Sequence, residues 1–225
     1  MNKKNTIAVI GDIHGCYEEL KDLYKKILKY TKEVYTVGDL IDRGTGSKQV
    51  IQFCIENNIK PVKGNHEDTL LKAINTPRNN FYRGRNQYLY QWRSDGGNKT
   101  IKSYTGNSET SFEIFVEKFK DCGHYDFISN LPLKIELENC IISHGGIINN
   151  AHPENLLRNR NIPSVLNKLQ VIGHTPTRNA IYETNHYINI DTGCVFWGTL
   201  SAAVISGNRE PNVILSCSRD AKEQN

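Results

Sequence analysis

The sequence predicts an α/β fold built around a parallel sheet, and two observations carry that prediction. Short apolar runs at residues 6–10, 34–37 and 60–62 alternate with stretches of helical periodicity, the pattern of successive βαβ units. Each run also ends in a polar, glycine-bounded motif, and the motifs recur evenly. Asp12 and Asp39 are 27 residues apart, and Asp39 and Asn65 are 26 apart. That is close to the roughly 30 residues of one βαβ unit, so the motifs fall at one edge of one sheet. In open α/β sheets ligands bind at that edge, beyond the C-terminal ends of the strands.

Residues 6–10 lead into Gly11-Asp12-Ile13-His14-Gly15. Between 17 and 30, Leu20, Leu23, Tyr24, Ile27 and Leu28 repeat at the spacing of an amphipathic helix. The run at 34–37 delivers Gly38-Asp39-Leu40-Ile41-Asp42-Arg43-Gly44, two carboxylates three residues apart with an arginine beside the second. Glycine at each end lets the chain turn sharply there. Ser47 is placed to cap a helix through Val50, Ile51 and Cys54, and a third strand at 60–62 ends in Gly64-Asn65-His66-Glu67. Residues 77–130 break the rhythm as a cap-like segment, polar, aromatic and basic over 77–102. Within it, Ser111 is placed to cap a helix carrying Phe112, Phe115, Val116 and Phe119.

Strand signals return at 134–137 and 140–142, the latter running into Ser143-His144-Gly145-Gly146. Pro163 is placed to open a short helix. The run 169–172 ends in Gly173-His174-Thr175-Pro176, and 187–190 ends in Asp191-Thr192-Gly193-Cys194. Runs near 200–205 and 212–216 close a single domain over 1–225, with a polar tail expected to fray.

Bulk composition narrows the function classes. Hydrophobic content of 38% and charge of 23% suit a soluble globular chain with a full core. A net charge of +4 is too small to argue for nucleic acid. No apolar run approaches the roughly 20 residues that span a bilayer, so no membrane partner is expected. Without an apolar export segment near Met1, a cytoplasmic location is expected. The cysteines at 16, 54, 122, 140, 194 and 217 include no CxxC pair, which suggests neither a zinc site nor a disulfide framework.

The strand-end motifs present Asp12 and His14, Asp39, Asn65 and His66, His144 and His174. Oxygen and imidazole donors together suit manganese, iron or zinc better than calcium or magnesium. Asp39 is the candidate bridge between two divalent ions, a template for in-line attack on phosphorus in which coordination acidifies a bound water. Arg43 can fork onto phosphate oxygens. His66 can protonate a leaving oxygen, with Asp42 fixing its tautomer.

The set GDIHG, GDLIDRG, GNHE, HGG and GHT, in this order over about residues 6 to 200, resembles the PPP-type metallophosphoesterases. That group includes bacterial and phage serine/threonine protein phosphatases and the symmetrical diadenosine tetraphosphatases. The resemblance implies a calcineurin-like β-sandwich flanked by helices in four αββα layers, with a dinuclear centre at one edge. It implies a first metal on Asp12, His14 and bridging Asp39, and a second on Asp39, Asn65, His144 and His174, with manganese preferred over iron or zinc. Arg43 would bind phosphate beside Asn65, and His66 paired with Asp42 would be the acid. A second phosphate-binding arginine belongs between HGG and GHT, with Arg160 chosen and Arg158 the alternative. The Asp191-Thr192-Gly193-Cys194 run resembles the bacterial and phage branch, although Trp197 stands where a second glycine is expected before Gly198.

The expected activity is metal-dependent hydrolysis of phosphomonoesters, first of all phosphoserine and phosphothreonine in proteins, by a metal-bound hydroxide. The alternative keeps this chemistry on dinucleoside polyphosphates, as in the symmetrical tetraphosphatases, or on RNA 5′-end phosphates. The partner is thus a phosphoprotein or a phosphorylated small molecule or nucleotide. No cysteine has an arginine six positions on, and no DxDxT loop is present, so other phosphatase chemistries lack their signatures. The stretch 77–102 interleaves Arg78, Arg83, Arg85 and Arg93 with Phe81, Tyr82, Tyr88, Tyr90 and Trp92. Such a mixture can stack single-stranded nucleic acid. A cap whose aromatics pack beside the site, and which sets substrate selectivity, is the preferred reading. The pair Gly96-Gly97 is expected to be a turn, and Asp191 either orients a histidine or caps its own turn. Of the histidines outside the motifs, His124 and His186 are expected at surface or core positions. His152 is close enough in sequence to His144 to reach a substrate.

Overall fold

The computed structural model describes residues 6–77, 80, 86–149, 152–207 and 210–219; Arg78, Phe81, Tyr82, Arg83 and Arg85 of the basic stretch lie outside them. Two five-stranded sheets form the centre. The first contains β1 (Thr6–Ile10), β2 (Val34–Thr36), β3 (Lys60–Pro61), β9 (Thr199–Ser206) and β10 (Pro211–Ser218), in the order β10-β9-β1-β2-β3. Its β1, β2 and β3 are parallel, with Ala8 opposite Val34 and Tyr35 opposite Lys60. The second contains β4 (Lys134–Glu136), β5 (Cys140–Ser143), β6 (Leu169–Ile172), β7 (Ile181–Glu183) and β8 (Tyr187–Asn189), in the order β4-β5-β6-β8-β7. Here β5, β6 and β8 are parallel, with antiparallel β4 and β7 at the edges.

Alternation within each strand decides what lies on either side. Val9, Tyr35 and Ala203 from the first sheet, with Val37 just past β2, pack with Ile142, Val171 and Ile188 from the second, which makes the two sheets a sandwich. Ala8, Ile10, Val34 and Val204 point the other way, into a helical layer. Both faces of the first sheet are therefore dry, and its strands read as unbroken apolar runs. The helical layer includes α1 (Tyr17–Ile27), α2 (Ser47–Glu56), α3 (Asn65–Asn75), α4 (Gln87–Trp92), α5 (Asn98–Thr105), α6 (Phe112–Asp121) and α7 (His124–Ser129), with a π turn Arg93–Gly97 between α4 and α5. Leu20, Leu23 and Ile27 of α1 are fully buried as their spacing predicts, each worth about 1.5–3 kcal/mol. No helix among the described residues is long and apolar enough to cross a membrane.

The fourth layer is thin. On the outer face of the second sheet, buried Gln170 accepts the Ile147 N–H at 2.7 Å and donates to Ser164 O at 2.6 Å. These bonds bind the loop that carries the four-residue α8 (Asn155–Arg158) onto that sheet. Three local expectations are corrected. Gly46, not Ser47, is the N-cap of α2, because the Ser47 hydroxyl is drawn away to the Asp42 N–H at 3.1 Å. Pro163 opens no helix; its ring packs against Gly146. Strand β7 was not anticipated, since Ile181–Glu183 is a short edge with little apolar pattern.

Over residues 86–130 the aromatics build a core. Trp92 stacks on Phe115 at 5.4 Å between centroids, and Phe115 stacks on Phe119 at 5.5 Å. Tyr104 donates to His124 Nδ1 at 2.5 Å while His124 Nε2–H donates to Gln52 Oε1 at 3.0 Å. These partners select a neutral imidazole. Burial, helped by the nearby Lys48 ammonium, lowers the His124 pKa from 6.5 to about 4. Between those values the unfolded chain holds the proton and the folded chain does not. Stability is therefore expected to be full above pH 6.5 and to fall, by up to about 3 kcal/mol, as pH drops to 4. His124→Asn should flatten that slope in urea melts at stepped pH; an unchanged slope would assign the titration elsewhere.

Candidate metal centre and active site

Loops from both sheets converge at the C-terminal ends of their parallel strands. Asp12 and His14 follow β1; Asp39, Asp42 and Arg43 follow β2; Asn65 and His66 open α3 after β3. His144 follows β5, His174 follows β6 and Asp191 follows β8. His14, Asp39, Asp42, Arg43 and His174 all take left-handed backbone, with φ of 45, 51, 73, 65 and 68°. Non-glycine residues enter that region at a cost of about 1–3 kcal/mol each and do so where the surroundings over-determine them. Glu67 is one of those constraints. Its buried carboxylate accepts the N–H groups of Gly64, Asp39, Leu40 and Ile41 at 2.8, 3.0, 2.8 and 3.3 Å. Gly64 is required because a Cβ there would collide with the Asp39 carboxylate.

Asp39 sits at the middle of the cluster. Its Oδ2 lies 3.5 Å from His14 Nε2, 3.4 Å from His144 Nε2 and 3.9 Å from His66 Nε2. His144 Nε2 is also 2.9 Å from Asn65 Oδ1 and 3.2 Å from His174 Nδ1. Two donor groups result, each within 4.8 Å: His14, Asp39 and His66, and Asp39, His144 and His174. Asp39 belongs to both, the position of a bridge. Asp12 lies in neither, its carboxylate accepting the His174 N–H at 3.2 and 3.3 Å.

The donor set fits divalent cations. His14 Nδ1 and His144 Nδ1 each lie 2.8 Å from a backbone carbonyl, of Ile41 and Val37. A proton on Nδ1 leaves the Nε2 lone pair aimed at Asp39, the usual arrangement of ligating imidazoles. Burial first, then His66, holds His14 at about 3, and burial and His144 hold His174 at about 3. Both are neutral and able to ligate. Burial and the neighbouring Asp191 push Asp12 well above the usual carboxylate range. Burial would also raise Asp39, yet His144 and His66 outweigh it and keep Asp39 ionised. His144 shows the converse, raised to about 10 by Asp39 and Asp12 against its burial. The carboxylates thus call for positive charge between them.

Beside this cluster, His66 Nδ1 meets Asp42 Oδ2 at 2.7 Å. The other Asp42 oxygen accepts the Thr100 hydroxyl at 2.6 Å, and the Asp42 N–H reaches Thr100 Oγ1 at 3.0 Å and Ser47 Oγ at 3.1 Å. Arg43 donates its backbone N–H to Gly96 O at 3.3 Å and its Nη1 to His14 Nε2 at 2.7 Å. Gly96 is not the plain turn expected. With φ of 111° it lies against Arg43, and an added Cβ would strike the Arg43 backbone. Thr100 was not singled out in the sequence, and the supporting roles of Ser47, Gly96 and Glu67 at the site were not anticipated; only Glu67 carried a signal, lying three residues after a helix cap.

Arg160 donates to His174 O at 3.1 Å, at the lip of the second donor group, whereas Arg158 donates to Thr69 Oγ1 at 2.7 Å on α3. Both guanidiniums contribute to depressing His174. Asp191 caps its own turn through the Gly193 N–H at 3.0 Å. His152 is exposed and accepts the Glu154 N–H, and His186 lies 2.8 Å from Pro163 O, so neither joins the cluster. A third donor group, Cys16, Glu19 and Cys194, also gathers within 4.8 Å. No CxxC spacing announced it, and Arg219 already places a positive charge on Glu19 and Cys16.

The geometry has counterparts among known proteins. Residues 5–198 match the calcineurin-like phosphoesterase family. A protein of Anoxybacillus flavithermus named bis(5′-nucleosyl)-tetraphosphatase PrpE [asymmetrical] is 29% identical, across 86% of this chain and 88% of that protein. A solved structure described as a candidate diadenosine tetraphosphatase superposes with a TM-score of 0.59 at 20% identity, covering 96% of this chain and 95% of the other. A cold-active protein-tyrosine phosphatase from a Shewanella species superposes with a TM-score of 0.56 at 15% identity, covering 94% and 80%. At such identity the superpositions show the fold alone. The two-sheet sandwich, the strand-end His/Asp cluster and the match over 5–198 together establish the chain as a metallophosphoesterase of the calcineurin-like phosphoesterase family.

Proposed function

We propose that the chain hydrolyses dinucleoside polyphosphates at this centre, with manganese as the working ion. The observation that carries the reading is the likeness along 86% of the chain to the protein named as a bis(5′-nucleosyl)-tetraphosphatase. That name specifies asymmetrical cleavage, whereas the motifs alone suggested the symmetrical kind. Residues Asp12, His14, Asp39, Asn65, His144 and His174 hold the cations, which supply Lewis acidity towards phosphoryl oxygens and acidify water. Arg43 at one side and Arg160 at the other bind and orient the phosphate chain. His66, its tautomer fixed by Asp42, delivers a proton to the leaving oxygen. The phosphoserine and phosphothreonine reading uses the same residues and ranks second, because it rests on the motifs alone.

The test is a comparison of kcat/KM for diadenosine tetraphosphate and a phosphoserine peptide with manganese supplied. The dinucleotide is expected to be favoured by at least about 10²-fold, a difference of about 2.7 kcal/mol in transition-state binding. Ion-exchange separation of the products distinguishes ATP plus AMP from two ADP. Turnover of the phosphopeptide alone would overturn the reading.

A further inference from the structure

The site lies next to an exposed aromatic ledge that none of the chemistry above uses. The single helical turn α9 (Cys194–Trp197) is bounded by Gly193 and Gly198, with φ of 65 and 87°. Phe196 N–H and Trp197 N–H both bond to Gly193 O, at 2.9 and 3.0 Å, and Gly198 N–H bonds to Cys194 O at 2.9 Å. Thr192 Oγ1 ties the base of the turn to Thr199 O and Ser201 Oγ at 2.9 and 2.8 Å. Cys194 is buried within the turn, which leaves Phe196 facing outwards with 55% of its surface exposed. Trp197, standing where a glycine was expected, lies flat over the Gly193 backbone and packs 5.7 Å from the Phe196 ring.

Both rings carry a guanidinium. Arg43 Cζ lies 5.2 Å from the Phe196 ring and Arg178 Cζ lies 5.3 Å from the Trp197 ring. Arg43 also touches His14 at the metal centre, so one side chain spans the distance between the donor cluster and an exposed π-face. A lone exposed phenylalanine needs no explanation. A rigid aromatic pair clamped by two cations, adjoining a phosphate-handling centre, matches what stacks a base while holding the attached phosphate. The described aromatics of the 86–105 stretch do not offer this. Trp92 is buried, and exposed Tyr90 borders a cleft lined by Phe112, Glu113 and Lys120, with no strand-end motif residue in its wall.

We infer that Phe196, backed by Trp197, is the stacking surface for a nucleobase of the substrate, an assignment that rests on the dinucleotide reading and names where the nucleoside binds. Arg43 then links base and phosphate recognition, and base preference resides in α9.

The experiment measures inhibition of p-nitrophenyl phosphate hydrolysis by AMP and by ribose 5-phosphate, which differ only in the base. The ratio of the two inhibition constants is the readout, so any general change in turnover cancels. The wild-type chain should bind AMP about tenfold more tightly than ribose 5-phosphate. Phe196→Ala should bring the two within about twofold, and Phe196→Trp should restore the preference. A wild-type ratio near one, or a preference that survives Phe196→Ala, would overturn the assignment. Failure of the dinucleotide reading shows separately, as turnover of p-nitrophenyl phosphate without turnover of diadenosine tetraphosphate.

Discussion

Asp39→Asn is expected to remove both bound cations and at least about 10³-fold of turnover. Among the described residues, Asp39 is the one residue common to the two histidine-containing donor groups. Three imidazole Nε2 atoms face its Oδ2 within 3.9 Å. Asparagine keeps the shape and keeps an acceptor for the His66 backbone N–H, which bonds Asp39 Oδ1 at 3.1 Å, so the start of α3 should remain intact. What would be lost is the negative charge common to the two donor groups. Lewis-acid stabilisation by bound metal is worth several kcal/mol in such phosphoryl chemistry and would go with the cations, each 1.36 kcal/mol being a factor of ten. Elemental analysis of the purified variant, alongside its melting temperature and its rate on diadenosine tetraphosphate, checks this. Retention of full metal content with a rate within tenfold of wild type would show that Asp39 does not bridge.

The second large effect depends on the leaving group. His66→Asn should slow an alkyl phosphate by about 10²–10⁴-fold, the usual worth of a positioned general acid. Loss on p-nitrophenyl phosphate should stay below about tenfold, because that phenolate departs without a proton. A polyphosphate leaving group, intermediate in its need, should fall between the two. His66 suits the role by geometry: Nδ1 is held by Asp42 at 2.7 Å while Nε2 faces the cluster. Burial alone would lower its pKa, but the Asp39 and Asp42 carboxylates outweigh it and raise it above the usual imidazole value. Equal losses on all three substrates would make His66 a ligand or a support rather than an acid.

The strand ends were legible because each puts charged or imidazole side chains immediately after a buried run, where local sequence alone exposes the anomaly. All of Asp12, His14, Asp39, Asn65, His66, His144 and His174 arrive where their motifs placed them, although Asp12 turns towards the His174 backbone rather than joining a donor group. The supports were not legible. Thr100 and Gly96 act on Asp42 and Arg43 across more than fifty residues of chain, and nothing in a helical segment marks one threonine as the partner of a distant carboxylate. The gathering of Cys16, Glu19 and Cys194 within 4.8 Å was hidden in the same way, since only the fold brings two unrelated loops together. Phe196 passed unnoticed because exposure cannot be read from a short apolar run ending a turn. Sequence order also could not say how thin the outer helical layer would be, because Gln170 replaces much of its packing with hydrogen bonds.

The left-handed residues at positions 14, 39, 42, 43 and 174 carry one more implication. Their loops resemble drawn springs, latched by the Glu67 carboxylate and by the Asp42–Thr100 bond. Releasing a latch lets the local chain slacken into everyday conformations while the sandwich beneath stays whole. Gentle warming or dilute urea should therefore silence this enzyme before its sheets come apart, because the part that does chemistry is also the part wound tightest.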